Sequence, residues 1–253
     1  MGLDIYAGTL TRYYSGNWKT SVQQWAEKNG MKVNIIRPEE QNVEPAPIES
    51  ITAGVTEWKD QLIQALASSL TNQLHWNEDN DITPYYTDKP DWDAVHALML
   101  YTLCKLQGIT VPSTVTKNFE LYNHPVYKEF MTNKDNVISL FDSDGWWIPI
   151  NDAFMFNGCL PTGDRRMIAT VGMLKFELEN INTLEWNADE QTIISWRDTE
   201  GYPTDALYSE GKFKNIAKKE EYDTVSLAKF AFSILWQAVE HSSKYGTLII
   251  YDY

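Results

Sequence analysis

Residues 224–251, TVSLAKFAFSILWQAVEHSSKYGTLIIY, read as a helix followed closely by a strand. Ser226, Lys229, Ser233, Gln237 and Glu240 fall on one narrow polar stripe, while Phe230, Phe232, Ile234, Leu235, Trp236 and Val239 occupy the rest of the circumference. A helix that is apolar over most of its surface belongs inside a core. The helix is expected to run from Thr224 to Ser242, and after Gly246 residues 247–251 are rich in the β-branched and aromatic types that suit strands.

The other end of the chain offers a matching strand at residues 3–6, then a helix over 18–28 stopped by Gly30, then a strand over 32–36. Both chain ends are therefore predicted to share one sheet. Further helices are expected at 56–70, 91–107, 125–131, 164–181 and 188–196, with Asp91 and Gly108 as the caps of the second of these. The predicted fold class is α+β: a helix-rich single domain spanning 1–253, with a small mixed sheet joining the N- and C-terminal strands. A β-hairpin is expected near 136–150, because Asp144-Gly145 suits the positive φ angles of a tight turn, and Pro149 would mark an edge strand.

A chain of 253 residues can bury a sizeable core without staples. Its net charge of −14 repels phosphates, so no nucleic acid partner is expected. The longest apolar run, 94–106, falls short of the roughly 20 residues that span a bilayer, so no membrane association is expected. The N-terminus carries no leader pattern, and Cys104 and Cys159 stand far apart, which together predict a cytoplasmic protein with free thiols.

The charge is unevenly placed. Residues 38–100 hold two basic and twelve acidic side chains, a formal −10 of the total −14. Within this segment, 37–49 reads as an exposed acidic, proline-containing loop. The chain also has 10 Trp and 14 Tyr, residue types that give recognition surfaces large contact area at little entropic cost. The leading functional expectation is a non-catalytic acidic binding protein, of inhibitor, immunity-type or adaptor kind, that engages a basic protein. Its candidate contact residues are Glu39, Glu40, Glu44, Glu49, Glu78, Asp79 and Asp81, with Trp146 and Trp147, one of which a strand would turn outward.

Chemical motifs are sparse, and no cofactor or bound metal is expected. Gly158-Cys159-Leu160-Pro161-Thr162-Gly163-Asp164-Arg165 copies the glycine spacing of a phosphate-binding loop but places Asp where Lys is needed. It reads instead as a loop whose Thr162 or Asp164 caps a helix. Around it, Asn151, Asp152, Cys159, Arg165 and Arg166 form the candidate ligand site, with two guanidinium groups and helix-start amides suited to a small anion. This supports the alternative expectation of a small-molecule enzyme, a hydrolase, with a polar site between 142 and 166. Asp93 and His96 share a helical face at i, i+3, with Asp91 preceding them, which is at most a partial metal-ligand set; a hydrogen-bonded structural histidine is the expected role. The acidic run 75–81 lacks the glycine and distal glutamate of an EF-hand loop.

Overall fold

The computed structural model describes residues 2–32, 46–71, 74–132, 138–204, 206–209, 212–215 and 219–253. In chain order its first elements are β1 (Asp4–Gly8), α1 (Leu10–Ser15), α2 (Ser21–Lys28), α3 (Ile48–Leu66), β2 (Tyr86–Asp88), α4 (Asp91–Leu106), β3 (Thr114–Thr116), α5 (Pro125–Phe130), α6 (Ser139–Asp142) and β4 (Trp146–Ile148). They are followed by β5 (Met155–Cys159), β6 (Arg165–Thr170), α7 (Val171–Ile181), α8 (Glu190–Thr199), β7 (Ala206–Ser209), β8 (Lys212–Asn215), β9 (Glu221–Asp223), α9 (Thr224–Tyr245) and β10 (Leu248–Asp252). The chain divides into two compact units: a helical unit of residues 1–3, 90–141 and 178–237, and a sheet unit of residues 4–89, 142–177 and 238–253.

The sheet unit is built on six strands in the order β2-β1-β10-β4-β6-β5. All neighbours are antiparallel except β4 and β6, so the sheet is mixed, as expected. The chain ends pair directly, from Asp4 opposite Asp252 to Gly8 opposite Leu248. Ile5, Tyr6 and Ala7 of β1 and Leu248, Ile249 and Ile250 of β10 are all buried. Strands buried on both faces need continuous apolar runs, which is what these segments are. On one face Tyr6, Leu248, Ile250, Trp146, Ile148 and Ile168 join a core to which α3 contributes Val55, Trp58 and Leu66. The helical spacing of those three, with Ile51 and Leu62 between and beside them, gives α3 a single apolar stripe.

Two expectations for this unit fail. Asp144 and Gly145 do adopt positive φ (47° and 76°), and a Cβ at 145 would meet Tyr251 Cβ at 2.6 Å. Their turn nevertheless joins α6 to β4, not two paired strands, and β4 lies inside the sheet between β10 and β6. Among the described residues there is thus no hairpin at 138–150, and Pro149 follows the last residue of β4, where its missing N–H removes no ladder bond. The hairpin of this sheet is β5–β6, running from Met155 opposite Ala169 to Cys159 opposite Arg165. Residues 164–170, expected to begin a helix, are therefore mostly strand; β6 pairs on both sides, with β4 and β5, and this tertiary pairing overrides local helical periodicity. The strand expected at 32–36 lies outside the described residues apart from Lys32, as does the acidic loop over 37–45; Ile48 and Glu49 at its end open α3.

In the helical unit α4 buries eleven consecutive residues, 94–104, because it is apolar all round. Gly108, at φ 65°, ends it as expected, with Ile109 N donating to Cys104 O at 2.8 Å. Trp186 stacks on Tyr101 (4.7 Å between centroids) and meets Trp196 and Phe232 edge-on, both at 5.1 Å. β3 and β9 pair antiparallel with Val115 opposite Tyr222, and β7 pairs with β8. α9 contributes residues 224–237 here and 238–245 to the sheet unit. It runs to Tyr245, three residues past the expected end at Ser242, and stops at Gly246, whose N donates to Ser242 O at 2.8 Å. Among the described residues no helix is long and apolar enough to cross a membrane, and Cys104 and Cys159 are free.

Candidate functional site

The helical unit holds a cavity of about 590 Å³ at the start of α4. Its walls come from three stretches: Asp91, Trp92, Asp93 and His96 of α4, Lys117 to Glu120 after β3, and Tyr202 with Tyr222. A volume of this size suits a small ligand or one inserted side chain.

Each wall is fixed by a specific bond. Asp91 was expected to cap α4, yet it sits at φ 58° and its Oδ1 accepts from Leu3 N at 3.3 Å, while its own N donates to Leu3 O. The capping group is the Tyr202 hydroxyl, which accepts from Ala94 N at 3.1 Å and donates to Pro90 O at 3.0 Å. It satisfies one of the amides that a helix start leaves without an intrahelical partner. The β3–β9 ladder continues through Lys117 N to Glu220 O (2.9 Å) and brings residues 117–120 against α4. There Asn118, at φ 59°, donates its N–H to Asp93 Oδ2 at 3.2 Å. Tyr202 and Tyr222 meet edge-to-face at 5.2 Å.

His96 is the chemically distinctive wall. It is 7% exposed, and its Nδ1 lies 2.8 Å from Phe119 O. A carbonyl only accepts, so the ring proton sits on Nδ1 and Nε2 carries a lone pair. Nε2 is buried without a partner. Burial lowers the pKa of His96 below its ordinary 6.5, against the Phe119 carbonyl and the charges of Asp93 and Glu120, which act the other way. The neutral, accepting form is therefore favoured. Burial also raises the pKa of Tyr202, and Asp91 and Asp93 add to it, which reports a negative field at the cavity wall. Three carboxylates (Asp91, Asp93, Glu120) and two ammonium groups (Lys117, Lys219) line the site. Among the described residues no group of three metal-ligating side chains occurs, so Asp91, Asp93 and His96 remain a partial set.

The residues singled out between 151 and 166 do not converge in this way. Arg165 and Arg166 are adjacent on strand β6, so their side chains leave opposite faces, and both are exposed. The expected helix amides are absent beside them, since α7 begins only at Val171. The glycine-spaced segment is the β5–β6 turn, closed by Gly163 N to Leu160 O (2.9 Å) and Leu160 N to Asp164 O (2.8 Å), and neither Thr162 nor Asp164 caps a helix. Asp152 accepts from Thr71 N at 3.0 Å and from the Thr71 hydroxyl. Asn151 and Cys159 are exposed, and the carbonyl of Cys159 accepts from Trp58 Nε1 at 2.7 Å.

The expected partner-binding residues are also dispersed. Glu39, Glu40 and Glu44 lie outside the described residues, while Glu49, Asp79 and Asp81 are exposed. Glu78 serves the fold: Oε2 accepts from Thr11 N (3.0 Å) and Oε1 from Trp76 Nε1 (2.9 Å). Trp146 and Trp147 are both buried, at 9% and 0% exposure, because β4 is an interior strand with both faces covered; neither is turned outward. Run 75–81 forms a loop whose turns are closed by Asn77 and Asp79 side chains. Near it a shallow hollow of about 750 Å³ includes Arg12, whose guanidinium is spent on the carbonyls of Thr83 (2.6 Å) and Asn80.

Sequence reasoning had marked Asp91, Asp93 and His96 but missed Tyr202, Tyr222 and residues 117–120, which no local pattern connects to α4. No family model, curated protein or solved structure matches this chain.

Proposed function

We propose that the protein is a non-catalytic binding protein for a basic protein partner, and that the cavity at the start of α4 receives one of the partner's cationic side chains. The observation that carries this reading is the convergence of three carboxylates and the Trp92, Tyr202 and Tyr222 rings on one cavity. A cation over an aromatic face gains about 0.5–2 kcal/mol, most where water is excluded. An anion in the same place would face Asp91, Asp93 and Glu120. Lys117 and Lys219 are exposed, where solvent and salt screen them, and they favour a single inserted cation over a dense basic patch. The net charge of −14 supports fast encounter with a basic partner at low salt.

Calorimetric titration with hexa-arginine amide tests the reading. Asp91→Asn, Asp93→Asn and Glu120→Gln, combined, preserve side-chain size and the hydrogen-bond acceptors, and asparagine tolerates the left-handed backbone at 91. The triple variant is expected to lose at least tenfold in affinity at low salt, more than a triple neutralisation of Glu49, Asp79 and Asp81. Equal losses in the two variants would mean diffuse charge attraction and would remove the cavity from the reading.

A further inference from the structure

Resting on that reading, we infer that the cation carries N–H donors, as a guanidinium or primary ammonium does, and that one of them donates to Nε2 of His96. Protonating His96 then expels it. The argument begins with the ring's own bonding. Phe119 O fixes the proton on Nδ1, leaving Nε2 as an acceptor with nothing to accept. A buried acceptor without a partner is costly, and a donor that reaches it on binding removes that cost. The wall around it is negative and aromatic, so the donor that fits best is a cationic N–H.

His96 packs among the rings of Trp92 (5.5 Å between centroids), Phe119 (6.5 Å) and Tyr122 (5.3 Å). Since Nε2 is closed off from solvent, the donor gains it by displacing one of these rings, none of which is wholly buried and of which Tyr122 is the most exposed. The charged groups around the histidine are Asp93 on its own helix, Asp91 at the helix start, Glu120 and Lys117 on the segment after β3, and Lys219 before β9. Asp93 and Glu120 favour the imidazolium, and burial outweighs them. Protonation converts Nε2 from acceptor to donor and sets a positive charge beside the ligand's own. Affinity should therefore be full where His96 is neutral and fall by about tenfold per pH unit below the free protein's His96 pKa.

The test titrates the full chain at pH 8 and at stepwise lower pH, through the protonation of His96 as followed by its ring ¹⁵N resonances, with agmatine, which has N–H donors, and with tetramethylammonium, which has the charge alone. A third probe, the peptide acetyl-Gly-Gly-Arg-Gly-Gly-amide, displays the guanidinium on a backbone. His96→Asn keeps a donor at the Nδ1 position and deletes Nε2; His96→Gln keeps an amide near Nε2 whose oxygen accepts. Agmatine is expected to bind at least tenfold tighter than tetramethylammonium at pH 8, to weaken as the pH falls below the His96 pKa that the ring ¹⁵N resonances report in the free protein, and to lose its advantage in His96→Asn. His96→Gln should retain binding without the pH dependence. On the wild type, the ¹⁵N resonance of His96 Nε2 should move on agmatine addition, which needs no variant to fold. Equal binding of the two cations, or an unmoved Nε2 resonance, overturns the role of His96 while leaving a cation site in place. If agmatine binds and the peptide does not, the cation is a free small molecule: the His96 contact stands and the basic-protein reading falls. If neither cation binds, both fall.

Discussion

The β5–β6 hairpin and the start of α4 carry similar chemistry in the sequence and end in opposite roles. The hairpin brings Cys159, Arg165 and Arg166 within eight positions, yet strand alternation sends consecutive side chains to opposite faces. At α4, by contrast, Asp91, Asp93 and His96 meet Lys117 to Glu120 and Tyr202, which stand up to 111 residues away, counting from Asp91 to Tyr202. The difference is one of bonding. Polar groups at α4 are held by named partners such as Tyr202 to Ala94 N and Asn118 N to Asp93, whereas the hairpin arginines are exposed. Closeness in sequence measures little of what converges in space.

If the hairpin is scaffold, its apolar residues should matter far more than its charges. Ile168 sits on β6 two residues from Arg166 and is fully buried in the core that includes Trp146, Trp58 and Ile250. Ile168→Ala is expected to cost about 2–5 kcal/mol, the range for truncating a buried isoleucine. Urea unfolding followed by circular dichroism measures it. A loss under 1 kcal/mol would mean that the hairpin is not built into the core, and the contrast with α4 would lose its first leg.

At α4 the equivalent test removes a bond and leaves the packing. Tyr202→Phe leaves the ring in place but strips the hydroxyl from Ala94 N and Pro90 O. Leaving such a cap unmade costs about 1–2 kcal/mol, so amide exchange at Ala94 should speed by about tenfold. The same variant should weaken hexa-arginine binding, because Trp92 and Asp93 belong to the turn that Tyr202 pins. Unchanged exchange at Ala94 would show that the cavity wall is held by something other than this phenol.

Legibility in the sequence follows the same division. Elements whose pattern is self-contained were readable: α4 from apolar coverage and its terminal glycine, α9 from apolar coverage, β1 and β10 from short β-rich runs at the two ends. The 164–170 segment was not, because its alternation and its helical period are both plausible locally and the pairing with β4 and β5 decides. Asp144-Gly145 was correctly read as a left-handed pair, but dihedral preference says nothing about which strand follows on the far side. Trp146 and Trp147 were misjudged on the assumption that one sheet face meets solvent. At the cavity, the i, i+3 spacing of Asp93 and His96 was visible and the unpartnered Nε2 was not, since that depends on Phe119 O arriving from another segment.

The smallest expected effect is the sharpest discriminator between the two regions. Arg165→Ala combined with Arg166→Ala changes two exposed strand residues with no common face. Surface substitutions away from caps, cores and buried pairs usually stay within about 0.5 kcal/mol, and isolated exposed ion pairs add little more. The variant raises the negative charge from −14 to −16, which on electrostatic grounds alone should slightly strengthen hexa-arginine binding at low salt and do nothing at high salt. Had these arginines formed an anion site, the variant would instead lose affinity for inorganic phosphate. The expected outcome is unchanged unfolding, unchanged phosphate titration, and a hexa-arginine affinity equal to or marginally above the wild type. A measurable loss of phosphate binding would restore the hairpin as a ligand site and reverse the ranking of the two regions.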